Sequence, residues 1–367
     1  MIKILHIMPS ISINNGMMSV IINYHKHIDR TKVQFDYLYF FENDGNHLET
    51  INQLGGKAYF IGAPRPTVRY FKKIDAFFSK HGDEYTAIHC HPIFASELFG
   101  RNAKRHGIKH IIAHSHSTKY SNKKISAIRN YIINLFIGHF ATDYMACSKD
   151  ASKLFGRAIK NKNVYILNNA IDCDNFLFDI NRREEIRSSF HIQGNETVFG
   201  HVGRFTNEKN HKFLIDVFNE YKKLNVNSKL ILVGDGPLIE GIKKHINSLN
   251  LTGNVIFAGR RTDIPALLSA MDIFILPSLF EGVPVAVVEA QTSGLPCFIS
   301  DTITKSVNFS NCTYLSIKKP ALFWANTILN SSCNKDRIEG ARLAKKSNFN
   351  ISIEAGKLCR FYLDLNN

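Results

Sequence analysis

Several features are scarce in this chain, and each scarcity excludes a class of protein. Its 367 residues contain one tryptophan, ten prolines and seven cysteines, and no two cysteines stand at the spacing of a zinc site. An odd number of scattered cysteines is poor material for a disulfide framework and indicates a reducing compartment. No apolar run reaches the length of a membrane-spanning helix, about 20 residues. With 44% hydrophobic and 21% charged residues, the composition is that of a packed globular protein.

Two nucleotide-binding motifs are also missing. The sequence has neither G-x-x-x-x-G-K-[ST] nor G-x-G-x-x-G after its first apolar run, which excludes a P-loop and a dehydrogenase-type dinucleotide site. That first run, Met1–Met8, is short and has no small-residue cleavage site, so we expect a buried strand rather than a secretory signal.

Acidic residues are too few to balance the basic ones. Forty-six Lys and Arg stand against 31 Asp and Glu, a formal charge of +15. Between Lys57 and Arg129 there are 14 basic and four acidic residues, and the rest of the chain is near balance. This bias indicates an anionic partner for the N-terminal half: an acidic membrane surface, a pyrophosphate-bearing substrate or nucleic acid. A solvated basic face without a specific partner is the alternative.

Short apolar runs alternate with amphipathic stretches along the chain, which predicts an α/β protein with parallel sheets wrapped by helices. The polar stretch Asp172–Glu196 separates two sets of runs, so we expect two doubly wound, Rossmann-like domains over residues 1–180 and 190–349. Apolar residues at near-helical spacing predict an amphipathic helix within 350–367, which either packs on its own domain or crosses back to the first. The runs are Ile2–Met8, Phe35–Phe40, Ala58–Ile61, Ala87–Cys90, His110–Ala113, Tyr144–Ala146 and Val164–Leu167, then Val198–Val202, Lys229–Val233, Val255–Ala258, Ile273–Leu276 and Pro296–Ser300.

A candidate phosphate site follows the first strand of the second set. Residues 200–211 contain Gly203, Arg204 and Lys209 between that strand and an amphipathic run. A glycine-containing loop at a helix start presents free N–H groups to phosphate, and two cations beside it suit a diphosphate. Two solvated surface cations are the alternative.

A pair of acids, Glu281 and Glu289, defines a second candidate site. Glu289 lies in an apolar run, where a carboxylate is costly unless it accepts hydrogen bonds, for instance from a ribose diol. Gly282 and Pro284 predict a turn before a helix that begins near Val285. A helix cap at Glu281 and a buried ion pair at Glu289 are the alternatives.

Other polar segments give weaker signals. Gly234–Pro237 and Asp172–Asp174 have the composition of turns. His114 and His116 end a first-domain strand, where open α/β sheets bind ligands, and His89 and His91 hold a similar place. A metal site built from these four histidines is not favoured, because no carboxylate stands at ligand spacing.

These motifs in combination resemble the retaining GT-B glycosyltransferases of family 4, in the branch that makes bacterial capsule, exopolysaccharide and O-antigen. The resemblance rests on Gly203-Arg204 with Lys209, on Gly234–Pro237, and on Glu281 and Glu289 followed by Ser293–Pro296. It spans essentially the whole chain. Asn14–Met18 stands where the family commonly has a Gly-Gly loop, with Asn in place of the first Gly.

The resemblance implies two domains that face a cleft, with the acceptor bound by the first and the nucleotide-sugar by the second. His114 matches the family's catalytic-site histidine best, by its distance to Thr118 and Lys119, and His116 is the second candidate. The implied site residues are His114, His116 and Glu281 at the reaction centre; Gly16, Gly203, Arg204, Lys209, Val283 and Pro284 at the donor diphosphate; Glu289, Arg260, Arg261 and Thr262 at the nucleoside; and no metal.

The expected function is therefore transfer of a sugar, with retention, to a hydroxyl of a glycan acceptor. No cofactor is expected; the nucleotide-sugar is a substrate, with a UDP-sugar as the first candidate. The resemblance implies a polyprenyl-pyrophosphate-linked acceptor and a cytoplasmic protein held peripherally at the inner face of the bacterial inner membrane. Another GT-B sugar-nucleotide enzyme, such as a 2-epimerase, is the alternative. Nucleic-acid binding is disfavoured because no basic recognition helix or aromatic-rich motif is present. The basic residues expected at the membrane are Lys72, Lys73, Arg101, Lys104, Arg105, Lys123 and Lys124.

Overall fold

The computed structural model describes residues 1–13, 15–43, 45–117, 131–132, 138–159, 163–331 and 337–365. The predicted Asn14, Thr118, Lys119, Lys123 and Lys124 lie outside these ranges. The chain divides into two compact units, one of Met1–Ala170 with Ile351–Asn367 and one of Ile171–Asn350. The division falls between Ala170 and Ile171, ahead of the break that the polar stretch suggested.

The first unit is built on a parallel sheet in which the strand order is β3-β2-β1-β4-β5-β6-β7. Its central strands are buried on both faces, as expected for a sheet wrapped by helices. The strands are β1 Ile2–Met8, β2 Val33–Tyr39, β3 Ala58–Phe60, β4 Ala87–Cys90, β5 His110–Ser115, β6 Asp143–Ala146 and β7 Tyr165–Ile166.

Helices of the first unit bury one apolar face against this sheet. The helix Val68–His81 shows why: Tyr70, Ile74 and Phe78 recur every four residues and are buried, and the hydroxyl of Thr67 caps the first turn by accepting from the Tyr70 N–H. The described α-helices are α1 Gly16–His27, α2 Leu48–Gln53, α3 Val68–His81, α4 Ala95–Arg105 and α5 Lys149–Ser152.

The second unit repeats the topology with the order β10-β9-β8-β11-β12-β13. Phe199, Phe218 and Trp324 are buried in its core. The strands are β8 Thr197–Val202, β9 Ser228–Val233, β10 Val255–Gly259, β11 Ile273–Leu276, β12 Cys297–Ser300 and β13 Cys312–Leu315. The described α-helices are α6 Ile180–Ser189, α7 His211–Leu224, α8 Ile239–Ser248, α9 Ile264–Ala270, α10 Val285–Thr292, α11 Ala321–Asn330 and α12 Arg337–Lys346.

The C-terminal helix, α13 (Ile351–Asp364), belongs to the first unit although it follows the second in sequence. Its buried Glu354 accepts a hydrogen bond of 2.9 Å from the Asn168 side chain. Tyr362, two residues before its end, is fully buried. The helix predicted for this region is confirmed, and of the two placements left open it takes the one on the first unit. Within the described ranges, no helix is both long and apolar enough to cross a membrane.

Candidate active site

The charged candidate residues of the second unit meet at the point where its strand order reverses. β8 lies between β9 and β11, so the chain winds outwards in opposite directions from β8 and β11. Open parallel sheets bind ligands at the carboxyl ends of such strands. The loop after β8 and the loop after β11 are tied together, because the Leu279 N–H donates to the Glu208 carbonyl over 2.8 Å and the Asn210 amide donates to the Pro277 carbonyl over 3.2 Å.

Lys209 and Glu281, predicted separately from the two loops, form an ion pair with 2.6 Å between Nζ and Oε1. The lysine side chain is 17% exposed and the glutamate side chain 14% exposed. Such partial burial makes the pair stronger than a surface salt bridge and makes the loss of either partner costly. The pair therefore fixes a positive and a negative group at the switch point.

Arg204 differs from Lys209 because it is exposed and its guanidinium makes no hydrogen bond or ion pair to a residue that the structure describes; its backbone carbonyl accepts from Thr206. Its guanidinium thus keeps its forked set of donors available. Gly203 precedes it where space is limited: a Cβ there would lie 3.0 Å from Nε2 of His201.

The turn Gly234–Pro237 packs against the backbone of the candidate phosphate loop, residues 200–211. The Phe205 N–H donates to the Asp235 carbonyl over 3.0 Å. A Cβ on Gly234 would lie 2.1 Å from the Gly203 carbonyl oxygen, and one on Gly236 would lie 2.5 Å from that of Phe205. These contacts fit the predicted turn, whose close packing shapes the backbone of the candidate site.

Helix α10 begins at Val285, with the buried Pro284 as its N-cap residue, as the sequence predicted. Val283, also predicted here, is buried beside it. Glu289 lies one turn into the helix, and burial raises the pKa of its carboxyl to about 7 although the residue keeps some exposed surface. Its carboxyl makes no hydrogen bond to a described residue, so the ion-pair alternative is not what this part of the structure shows.

The residues predicted to face the base are engaged with neighbouring acids. Arg260 lies 2.9 Å from a carboxylate oxygen of Asp235, which joins it to the supporting turn. Arg261 pairs with Asp263 through two hydrogen bonds of 2.7 and 2.5 Å. Thr262 between them is exposed.

The sequence analysis did not single out two buried histidines next to the candidate phosphate loop, His201 and His211. His201 is the last residue but one of β8, and its Nδ1 lies 2.9 Å from the Ile275 carbonyl. His211 stacks on Phe205 with 4.2 Å between ring centroids. Burial lowers the pKa of His211 to about 4 and holds that of His201 well below its usual range. A histidine at a strand end followed by one at the next helix start is the sequence signal for this pair.

In the first unit, Gly16 is the first residue of α1, and the Asn15 side chain caps that helix by accepting from the Met17 N–H over 3.1 Å. A Cβ on Gly16 would meet nothing within 4 Å, so the surface beside it is open.

At the turn after β7, the Asp172 carboxylate accepts from the Asp174 N–H over 3.1 Å and Asp174 pairs with Lys345, which fits the predicted turn.

His114 and His116 lie within a larger group of imidazoles. His114 Nδ1 is 3.0 Å from His89 Nε2, and His116 Nε2 is 2.8 Å from His91 Nδ1. His6, which the sequence did not single out, lies 2.9 Å from His91. Two sets of three rings, His6 with His89 and His91, and His91 with His114 and His116, bring their nitrogens within 4.8 Å and are the described histidines able to hold a metal ion.

The two doubly wound parallel sheets define the fold class, which is GT-B. The solved structure of Anabaena Alr3699/HepE in complex with UDP-glucose has the same fold: its TM-score is 0.80, it covers 99% of this chain and 100% of that chain, and the identity is 18%.

Sequence comparison identifies the family. The family described as glycosyl transferases group 1 matches residues 182–306. A Bacillus subtilis (strain 168) protein named as a glycosyltransferase, EpsF, is 32% identical over 336 residues, 89% of this chain and 86% of that protein. The UDP-Gal:alpha-D-GlcNAc-diphosphoundecaprenol alpha-1,3-galactosyltransferase of Escherichia coli is 26% identical over 270 residues, 70% of this chain and 68% of that protein. The chain belongs to the glycosyl transferases group 1 family and is a glycosyltransferase; a 2-epimerase gains no support.

Proposed function

We propose that this glycosyltransferase moves a sugar from a nucleotide-sugar, first of all a UDP-sugar, to a hydroxyl of a lipid-linked glycan during surface polysaccharide synthesis, with the retention typical of family 4. The observation that carries the proposal is the group formed by the Lys209–Glu281 pair, the exposed Arg204 and the carboxyl of Glu289 around the β8 and β11 strand ends.

Donor diphosphate recognition uses the cations of this group. Arg204 offers a forked guanidinium and Lys209 a compact ammonium, and the N-terminus of α10 adds a positive dipole end. Glu281, held by Lys209, accepts hydrogen bonds from the transferred sugar in this proposal. Glu289 accepts from the ribose diol, and Arg260, Arg261 and Thr262 border the base.

The chemistry follows from where charge develops. The bond between the anomeric carbon and the phosphate oxygen breaks, and a bond forms between that carbon and the acceptor hydroxyl oxygen. The hydroxyl proton passes to the departing phosphate oxygen. Fixed cations that neutralise the diphosphate contribute several kcal/mol to such a step, on the order of 3 kcal/mol for one removed donor. Arg204 and Lys209 supply this stabilisation, so the proposed reaction is independent of a metal ion.

The acceptor proposal assigns glycan binding to the first unit and nucleotide-sugar binding to the second. The Escherichia coli relative is named for a diphosphoundecaprenol-linked acceptor. A substrate of that kind is anchored in a membrane and carries a pyrophosphate, which fits the basic bias of the N-terminal half. His114 and His116 are assigned to orient a sugar, not to act as nucleophiles.

Attachment to an anionic membrane at the cytoplasmic face is part of this proposal. Lys72, Arg101 and Arg105 line a groove between α3 and α4 beside Val68, which is 73% exposed, and Phe71, which is 44% exposed. Cations next to exposed apolar side chains are the combination that binds acidic lipid surfaces. Lys73 and Lys104 are partly engaged, since Lys73 donates to the Ile61 carbonyl over 2.7 Å and Lys104 lies over the Phe140 ring.

Nucleotide release tests the reaction. The purified protein is incubated with UDP-, GDP- and dTDP-sugars and a bacterial lipid extract, with and without chelator. Release from one donor that needs lipid, persists with chelator and is lost in Lys209→Ala supports the proposal. Release that stops with chelator contradicts the metal-independent mechanism.

Vesicle co-sedimentation tests the membrane contact. Binding to vesicles with anionic lipid is expected to exceed binding to neutral vesicles, and to fall in a Lys72→Gln, Arg101→Gln and Arg105→Gln variant. The matched control replaces three exposed lysines of the second unit, Lys223, Lys243 and Lys244. Equal binding to both vesicle types would contradict the contact.

A further inference from the structure

A groove in the first unit lies between α3 and α4 and has apolar walls. Val68 and Phe71, three residues apart on one side of α3, are exposed and line it from that helix. Leu98 of α4 and Phe140 also line it and are partly buried. The groove has a volume of about 470 Å³, which is in the range of ligand pockets. Its walls suit a hydrocarbon chain.

Three cations enter the groove without a partner of opposite charge. Lys72 comes from α3, and Arg101 and Arg105 come from α4, where their spacing of four places them on the same face. All three are exposed, and none forms an ion pair or a side-chain hydrogen bond with a residue that the structure describes. Like charges at this spacing repel one another. An anion bound between the three side chains would relieve that repulsion.

The carboxyl of Glu97 also lines the groove, but it does not neutralise these cations. Glu97 precedes Arg101 by four residues, which is the spacing and order that favour an ion pair on a helix. That pair does not form, because Oε1 of Glu97 is buried and has no hydrogen-bond partner among the described residues. Arg101 therefore keeps its forked set of donors available to a ligand.

Protonation decides whether Glu97 opposes or assists an anion in the groove. Burial raises the pKa of its carboxyl to about 7, and a hydrogen bond from the Phe140 backbone and the charge of Lys104 offset only part of that shift. The ionised carboxyl repels an anion, whereas the neutral carboxyl carries an O–H that donates to one. A bound anion would in turn raise this pKa further.

Other titratable groups surround Glu97, and none of those described here takes over this role. Burial raises the pKa values of Cys90 on β4 and Tyr144 on β6, and the charge of Glu97 adds to both shifts, so these two groups stay uncharged near neutral pH. Asp75 lines the groove from α3 and is ion-paired with His106 over 3.1 Å. The groove thus combines three unpaired cations with one carboxyl that gains a proton near neutral pH.

The groove points away from the edge of the sheet where substrates bind. α4 lies between the parallel strands β4 and β5 in sequence, so it runs back along the sheet, and Arg101 and Arg105 lie in its second half, towards the amino ends of the strands. Open parallel sheets bind substrates at the carboxyl ends instead. This position favours a phospholipid of the membrane over the lipid of the glycan acceptor.

We propose that the groove between α3 and α4 binds one anionic phospholipid molecule of the membrane, and binds it most tightly when Glu97 is protonated. The phosphate lies between Lys72, Arg101 and Arg105, and one hydrocarbon chain lies along the apolar walls. Glu97 donates a hydrogen bond to a phosphate oxygen. The inference rests on the proposed function for the presence of a membrane. It adds to the diffuse attraction of the cations a site of fixed stoichiometry that responds to pH.

Binding of a short-chain phospholipid in solution tests the site. Titration calorimetry compares dihexanoylphosphatidylglycerol, which is anionic, with dihexanoylphosphatidylcholine, which is zwitterionic, both below the concentrations at which they form micelles. We expect one molecule of the anionic lipid per protein, bound about fivefold more tightly than the zwitterionic lipid. Glycerol phosphate should bind more weakly than the anionic lipid because it lacks the chains. The variant with Lys72→Gln, Arg101→Gln and Arg105→Gln should lose the site.

The pH dependence of this binding tests the part played by Glu97. Between pH 6 and pH 8 the affinity of the wild-type protein for the anionic lipid should fall about fivefold, whereas Glu97→Gln should bind it equally at both. Glu49→Gln is the matched control, since Glu49 is likewise an acid in the first turn of a helix of this unit. His106→Gln controls for a histidine near the groove, because histidines also change charge near neutral pH. Both controls should keep the wild-type pH dependence.

Four results decide between this site and its alternatives. Equal binding of the two lipids, or no saturable binding of the anionic one, would overturn the inference, and the proposed membrane contact would still stand if vesicles required anionic lipid. A pH dependence that persists in Glu97→Gln would overturn it as well. Geranyl phosphate that binds more tightly than the anionic phospholipid would overturn it in favour of the acceptor lipid. A saturable anionic-lipid site in a protein that binds neutral and anionic vesicles equally would support the site and contradict the proposed contact alone.

Discussion

The two units share one strand topology yet present opposite chemistry at the points where it reverses. In the second unit the β8 and β11 strand ends carry charged groups, with Lys209 and Glu281 paired at 2.6 Å. In the first unit the β1 and β4 strands carry His6 and His89 in register, and burial lowers the pKa of both imidazoles, which disfavours their charged forms. The same backbone scaffold thus carries a charged pair in one unit and buried imidazoles in the other, because side chains and not topology decide the chemistry at a switch point.

Removing the central cation is expected to have the largest effect. Lys209→Ala removes the proposed diphosphate contact and the ion pair to the partly buried Glu281, so kcat/KM should fall by about 100- to 1,000-fold. Steady-state nucleotide release measures this. Lys229→Ala, a partly buried lysine of the same sheet paired with Glu196 at 3.8 Å, is the matched control. Comparable losses in both variants would show that general destabilisation is the cause.

The supporting turn gives the next largest effect. In Gly236→Ala the new Cβ would meet the Phe205 backbone at 2.5 Å, so the phosphate loop has to shift, and we expect about 2 to 4 kcal/mol less free energy of unfolding. Gly241→Ala, inside α8 with nothing within 4 Å, should instead gain about 0.5 to 1 kcal/mol. Chemical denaturation of both variants checks this contrast. Equal free energies of unfolding for the two variants would contradict the close contact between Gly236 and the Phe205 backbone.

A pH series sharpens the difference between charged and neutral sites. The pKa of Glu289 is raised to about 7, whereas an unfolded glutamate has a pKa near 4.5. A ribose diol donates hydrogen bonds to the ionised carboxyl, so the UDP affinity of the wild-type protein should rise as the pH increases through 7. At pH 8 the Glu289→Gln variant should bind UDP about tenfold more weakly than the wild type.

Stability should change in the opposite sense. Between pH 4.5 and 7 the unfolded carboxyl releases its proton before the folded one, so the free energy of unfolding falls with rising pH. Glu289→Gln removes this dependence and should raise the Tm at pH 8 while it weakens UDP binding. A Tm difference that is the same at pH 5 and pH 8 would be inconsistent with the raised pKa.

The smallest effect is expected at the edge of the charged site. Arg260 is 62% exposed and its ion pair with Asp235 is solvated, so Arg260→Ala should change stability by less than about 1 kcal/mol and donor affinity by about two- to threefold. Titration calorimetry with UDP measures the affinity. A loss of UDP affinity as large as that of Lys209→Ala would indicate that the donor site is centred on Arg260 and its neighbours rather than on Lys209.

The strands and the charged residues were predictable from sequence because each depends on a local pattern. Apolar runs gave β8 and β11, and turn composition with the following apolar run gave the start of α10. The contacts were not predictable, since the Lys209–Glu281 pair joins loops 72 positions apart. Tyr362 entered the prediction only as an apolar helix residue, because its partner His89 lies 273 positions away. His6 and His201 each stood as one histidine in an apolar strand, which is also how a satisfied core histidine looks.

The most direct test of the division between a charged and a neutral site is UDP binding measured by titration calorimetry in three variants. Lys209→Ala and Glu289→Gln are expected to weaken UDP binding about tenfold or more, whereas His114→Gln leaves the affinity within about twofold and lowers only turnover. If His114→Gln weakens UDP binding as much as Lys209→Ala, or if Lys209→Ala leaves it unchanged, the assignment of the nucleotide to the second unit's switch point is wrong.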